Sequence, residues 1–148
     1  MSKLTPAALI ASTCLVLAPI GSTAEAQRTD KPRDDNRRPR MTVRAQPQLA
    51  TAPARVVLTG ELVGGADDFE EYYCPTIQWE WGDGTSSESS VDCPPYESGK
   101  TQIRRRFTTQ HVFRQPGNFR VFLHLKQSGR AVGSGSASVQ IRPGLGQF

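Results

Sequence analysis

The stretch Trp79-Glu80-Trp81-Gly82-Asp83-Gly84-Thr85 limits the folds open to this chain more than any other. Side chains two apart project from the same side of an extended strand, so Ile77, Trp79 and Trp81 share one face, while Gln78 and Glu80 share the other. Gly82-Asp83-Gly84 then demands a sharp turn, because glycine supplies the positive φ that other residues resist. A strand with large aromatics on one side, closed by a tight turn, is an anchor for an all-β core. That periodicity assigns Trp79 and Trp81 to the interior, not to a sugar-stacking platform on the surface.

Other segments repeat the pattern. Residues 55–62 are rich in β-branched and aliphatic side chains and end at Gly64-Gly65, as a strand followed by a loop does. After Thr85 the chain is polar through Cys93, and Pro94-Pro95 and Gly99 predict irregular backbone. Extended character resumes at Thr101, with Ile103, Phe107 and Phe113 at equal parity. Arg114-Gln115-Pro116-Gly117-Asn118 signals a turn. Residues 119–126 then alternate cleanly: Phe119, Val121, Leu123 and Leu125 inward, Arg120, Phe122, His124 and Lys126 outward. Ser128-Gly129 fits a tight hairpin into a last strand over 131–142. There Ala137, Val139 and Ile141 have the opposite parity to Val132, and a bulge at Gly133-Ser134-Gly135 would restore the register. The chain has no amphipathic helical pattern and no internal repeat. Its 148 residues suffice for one domain plus extensions. Short strands separated by turns predict a two-sheet β-sandwich.

The N-terminus reads as a signal peptide over residues 1–26. Lys3 precedes a largely apolar run over 9–20, and Ala24-Glu25-Ala26 has the small-x-small form of a cleavage site. The run is interrupted by Pro6 and Pro19 and is too short to span a bilayer, so no transmembrane span is expected after signal removal. Lipid anchoring at Cys14 is disfavoured: a lipoprotein signal wants a large apolar residue three before the cysteine and a very small one just before it, where this chain has Ala11 and Thr13. The expected location is secreted or periplasmic. Cleavage leaves Cys74 and Cys93, an even number in an oxidising compartment, which favours a disulfide over two free thiols. A loop of that size stabilises by about 3 kcal/mol through the unfolded state.

Charge is unevenly placed. The formal excess of +4 lies in residues 27–44, where Arg28, Lys31, Arg33, Arg37, Arg38, Arg40 and Arg44 face Asp30, Asp34 and Asp35. Residues 27–53 are polar and punctuated by Pro32, Pro39, Pro47 and Pro53, and read as a disordered basic arm and linker. Residues 27–44 could then touch an anionic surface. From Arg55 onward acids and bases balance, which argues against a nucleic-acid partner for the folded part.

Two ordered motifs carry a family resemblance. Trp79-Glu80-Trp81-Gly82-Asp83-Gly84-Thr85 resembles the W-D-F-G-D-G-T core of PKD (polycystic kidney disease) domains. His111-Val112-Phe113-Arg114-Gln115-Pro116-Gly117-Asn118-Phe119-Arg120-Val121-Phe122-Leu123 is similar to that family's H-x-Y-x-x-P-G-x-Y-x-V-x-L segment. The resemblance covers residues 54–143 and leaves 144–148 as a tail. It implies an immunoglobulin-like sandwich, a crossing between sheets at 114–118, and a structural motif of Trp79, Trp81, Gly82, Asp83, Gly84, His111, Phe113, Gly117 and Phe119. Trp81 replaces the usual Phe, and Phe113 and Phe119 replace two Tyr, removing two hydroxyls. Family members are mostly extracellular modules for protein or carbohydrate contact, or spacers beside catalytic domains.

For function, the outward strand residues are the better candidates. Gln78, Glu80, Arg120, Phe122, His124 and Lys126 would form one partner-binding face if their two strands are neighbours. Asp67, Asp68 and Glu70, with Glu71 and Asp83 nearby, give a weak signal for calcium, since they follow no fixed-spacing loop. No catalytic residue is expected: the chain has no G-x-S-x-G, H-E-x-x-H or C-x-x-C, and His111 and His124 have opposite parities. A zinc site from both Cys and both His would need groups converging from opposed faces, so no metal is assigned. The expected function is a non-catalytic binding or adhesion module for an extracytoplasmic protein or polysaccharide. The alternative is a structural cell-envelope component held to an anionic surface by the basic arm.

Overall fold

The computed structural model describes residues 36–146. The signal-peptide reading of 1–26, Cys14, the first part of the basic arm and the last two residues of the tail lie outside the described residues. Eight strands occur: β1 (Arg40–Gln46), β2 (Leu49–Thr51), β3 (Ala54–Val63), β4 (Thr76–Glu80), β5 (Ser86–Ser89), β6 (Arg106–Phe113), β7 (Gly117–Gln127) and β8 (Arg130–Arg142). One short 3-10 turn, Glu70–Tyr72, precedes β4. They form an all-β, immunoglobulin-like sandwich of a three-stranded sheet, β1-β3-β6, and a five-stranded sheet, β2-β8-β7-β4-β5. Pairing is antiparallel except between β2 and β8. The chain leaves β6 in one sheet and enters β7 in the other, so 114–118 is a crossing between sheets and not a simple hairpin.

The core follows from strand alternation. In β3 the burial pattern is strictly alternate from Ala54 to Leu62, and Val56 and Leu58 are fully buried. Val121, Leu123 and Leu125 of β7 face them from the other sheet, also fully buried. The two inner faces meet tightly where Gly60 lies under Leu123. A Cβ at Gly60 would come within 2.1 Å of Leu123 Cδ2. Phe107 and Phe113 on β6, Trp79 and Trp81 on the β4 side, and Val139 and Ile141 of β8 complete the layer.

The structure departs from the sequence-based expectations at three places. The disordered arm and linker assigned to 27–53 contains two strands, so the folded domain begins before residue 54. In β1, Met41, Val43 and Ala45 point to the core and Arg40, Thr42 and Arg44 point out, a period-two pattern masked by the basic composition of its surroundings. Before it, Arg38 sits over the rings of Phe69 and Tyr72 at 5.8 and 5.4 Å, and its Nε donates to the Tyr72 hydroxyl at 3.1 Å. Secondly, the segment after Thr85 is not all irregular. Ser86–Ser89 pairs with β4 through its backbone, and its four exposed polar residues gave no apolar signal. Thirdly, the irregularity of the last strand falls at Val132. Leu125 faces Gly133 and Lys126 faces Ala131, so Val132 is the extra residue, just ahead of the Gly133-Ser134-Gly135 run. Beyond it Gly135, Ala137, Val139 and Ile141 face inward as the parity requires, and Met41 and Val43 fill the space above Gly135.

Gly60→Ala should therefore overpack the layer between the sheets. A loss of about 1–3 kcal/mol in urea unfolding is expected, and an unchanged midpoint would contradict this packing.

Candidate functional site

The five-stranded sheet turns one face to the core and the other to solvent, and the outward residues of β4 and β7 are neighbours on it. Gln78 stands opposite His124, Glu80 opposite Phe122, and Thr76 opposite Lys126. The structure thus brings Gln78, Glu80, Arg120, Phe122, His124 and Lys126 onto one face. Phe122 lies near its middle. The Arg120 guanidinium sits 5.7 Å from the Phe122 ring centroid, and the His124 ring stacks on the other side at 6.0 Å. Phe122 is consequently half-buried rather than freely exposed.

Around this trio the polar groups are tied to one another. His124 Nδ1 is 3.0 Å from Ser134 Oγ and its Nε2 is 3.7 Å from a Glu80 carboxylate oxygen. Lys126 Nζ donates to Glu88 at 3.1 Å, and Arg120 Nε donates to Ser136 Oγ at 3.4 Å. Glu88 on β5, and Ser134, Ser136 and Ser138 on β8, were not singled out from sequence. The serines were legible as small outward residues at alternate positions of the last strand, which leave the β8 side of Phe122 open. On the opposite flank a depression of ≈ 340 Å³ runs from Phe122 and Arg120 to Gly82, Gly84, Thr85 and Ser86.

The structural motif residues sit directly behind this face. Trp79 and Trp81 are stacked nearly parallel, with centroids 5.8 Å apart, and His111 stacks on Trp81 at 4.3 Å and 4°. Phe113 meets His111 edge-on at 4.7 Å, and Phe119 stacks on Phe113 at 4.7 Å. Gly117, which opens β7, carries no side chain where a Cβ would lie 3.1 Å from the Phe119 ring. The series runs from β4 through β6 to β7 and so joins the two sheets. Its polar end is Asp83. One carboxylate oxygen accepts from the Thr85 backbone N–H at 3.0 Å and from its hydroxyl at 2.5 Å, while the other lies 2.7 Å from His111 Nε2. The Trp81 N–H donates to the Thr85 carbonyl at 3.1 Å, closing the turn. Gly82 has φ +78 and lies so close to β7 that a Cβ would sit 2.6 Å from the Arg120 carbonyl oxygen. Both carboxylate oxygens of Asp83 are thus engaged in holding the turn, and His111 is clamped between Trp81 and Phe113.

Partial burial pushes the Asp83 carboxyl upward, but the hydrogen bonds from Thr85 and His111 outweigh it and hold the group below its ordinary value of 3.8. A carboxylate lowered in this way contributes stability above its unfolded-state value and loses that contribution as pH falls through the folded-state value.

Cys74 and Cys93 form a disulfide with Cα atoms 6.1 Å apart, spanning 19 positions and enclosing the β4–β5 hairpin. It is not alone in holding the polar loop. Tyr73 Oη donates to the Pro94 carbonyl at 2.8 Å, and Tyr96 Oη donates to the Asp68 carbonyl at 2.6 Å. The acidic residues weighed for calcium mostly serve arginines. Asp67 accepts from Arg105 Nε at 2.6 Å and Asp68 from Arg37 at 3.0 Å, while Glu70 lies exposed in the 3-10 turn. Arg105 also donates to the carbonyls of Leu62 and Gly64, both at 2.9 Å, and so shapes that loop. Among the described residues, no group of three His, Cys, Asp or Glu side chains converges as a metal site would require.

No family model matches the chain, and no curated protein does. Several solved structures superimpose on this chain. The PKD domain of an M14-like peptidase from a Thermoplasmatales archaeon superimposes with a TM-score of 0.49 at 16% identity, over 72% of this chain and 98% of that one. A protein from Corynebacterium diphtheriae described as membrane anchored gives 0.49 at 14% identity, over 71% of this chain but only 21% of its own length. The CARDB domain of a Pyrococcus furiosus protein, determined with di-metal ions, gives 0.42 at 8% identity, over 73% of this chain and 97% of that one.

Asp83→Asn should lower stability near neutral pH by about 1–2 kcal/mol. The gap to the parent should narrow as pH falls from 3.8 through the lower folded-state value, where the parent carboxylate becomes protonated. Unfolding of both proteins between about pH 5 and pH 2 measures it. A gap that keeps its size across that range would contradict the assigned role of Asp83.

Proposed function

We propose that this protein is a secreted or periplasmic, non-catalytic binding and adhesion module that engages an extracytoplasmic protein or glycan through the outer face of its five-stranded sheet. The observation that carries the reading is the Phe122 ring, held between Arg120 and His124 at the centre of a mainly polar face and bordered by small serines. Aromatic and arginine side chains that are already ordered lose little freedom on binding, which is why such groups dominate recognition surfaces. The ring offers an apolar contact, the guanidinium a planar donor, and the adjoining depression a place for a partner side chain or sugar ring. An extracytoplasmic location is supported by the disulfide and by the leader-like residues 1–26.

Affinity capture from the native envelope tests the reading. Replacing Phe122 and Arg120 together by Ser should abolish recovery of the partner while melting stays close to that of the parent, because Arg120 is exposed and Phe122 lies outside the core. Equal recovery by the double variant would reject this face.

A further inference from the structure

The opposite side of the sandwich carries a second, chemically different face. Outward residues of β1, β3 and β6 form it, and its charges are Arg40, Arg44, Arg55 and Arg106 against the single carboxylate of Glu61. Glu61 is taken by Arg106, whose Nε and Nη2 both donate to it, at 3.0 and 2.5 Å. Arg40, Arg44 and Arg55 are exposed and have no carboxylate partner among the described residues. Their positions are fixed by register. Arg44 stands opposite Thr59, and β1 and β3 run antiparallel, so Arg40, Arg44 and Arg55 follow one line across the sheet. Each step is four residues, about 14 Å at the rise of a strand, and the line spans about 28 Å. Short hydrogen-bonding side chains lie along it, among them Thr42, Thr59 and Gln46, with Thr108 and Gln110 on β6 beside them.

We propose that this face binds a linear acidic polysaccharide, its carboxylates or sulfates taken by Arg40, Arg44 and Arg55 and its hydroxyls by the intervening threonines and glutamines. All the cations are arginines, whose planar fork matches a carboxylate or sulfate with two parallel hydrogen bonds. Charges about 14 Å apart on one sheet face suit an extended polymer that meets them in turn, not one compact anion. The apolar residues of the face, Val57, Val63 and Val112, are exposed by 37%, 54% and 41%; Val57 and Val112 are diagonal neighbours and Val63 stands apart, too small a set to form the wedge that would enter a lipid headgroup layer. No outward position of β1, β3 or β6 is aromatic, so the face has nothing on which nucleic-acid bases could stack. The surface lies across the sandwich from Phe122, so polymer and partner could be held together.

The test uses the full chain with heparin and polygalacturonate as probes, alongside vesicles of phosphatidylglycerol and phosphatidylcholine. Arg40→Gln, Arg44→Gln and Arg55→Gln in one variant should weaken binding to at least one polymer by about tenfold or more and make it markedly less sensitive to salt. A control with Arg28, Lys31 and Arg33 changed to Gln removes the same charge from the N-terminal basic run and should keep most of the affinity. Equal losses in the two variants, no binding to either polymer by the parent, or parental binding to the vesicles but not the polymers would each overturn the proposal. Unchanged melting of the sheet variant would show that its loss is one of contact and not of folding.

Discussion

The stacking of His111 on Trp81, with its ring nitrogen on Asp83, is the contact on which the rest of the structure depends. His111 belongs to the three-stranded sheet, whereas Trp81 and Asp83 follow β4 of the other. Flat rings 4.3 Å apart and a charge-assisted bond of 2.7 Å fix both the distance and the rotation of one sheet against the other. Trp79, Phe113 and Phe119 extend that contact through the core, so three strands are positioned by one run of aromatic rings.

This internal arrangement reaches the surface through Gly82. Because the turn lies against the Arg120 carbonyl, the loop that Asp83 shapes forms one wall of the depression beside Phe122. The outer face of the five-stranded sheet is thus a rigid product of the core. Its charged groups are paired among themselves through Glu80, Glu88 and Ser134, which leaves the ring of Phe122 as the feature a partner would read. The other face of the sandwich is basic and nearly free of acids. A module with two unlike outer faces and both sheets tied at one point is suited to bridging, and this gives the proposed binding role its physical form.

Much of this was written in local pattern. The strict alternation of 119–125 and the two tryptophans at i and i+2 placed the inner and outer sets, and the register then joined Glu80 to Phe122 and Gln78 to His124. The Ser128-Gly129 turn and the parity conflict after it called for a bulge, which falls at Val132 because Gly133 must lie beneath the Tyr72 ring, where a Cβ would be only 3.0 Å from it. What stayed hidden had physical causes. β1 alternates Met41, Val43 and Ala45 with Arg40, Thr42 and Arg44, but a short edge strand between prolines in a basic stretch looks like a linker. β5 exposes all four of its residues, none of them apolar, so no side-chain period could announce it. Glu88, the partner of Lys126, lies on β5 and was hidden with it. The regrouping of Arg40 and Arg44 with Arg55 needed the β1–β3 register, which no local window contains.

The most direct test of the account is a double-mutant cycle on Asp83→Ala and His111→Ala, read by equilibrium unfolding near neutral pH. Since the two side chains form one bonded unit joining the sheets, the cycle should return a favourable coupling of about 1–2 kcal/mol. Strictly additive losses, with no coupling, would contradict the claim that this contact sets one sheet against the other.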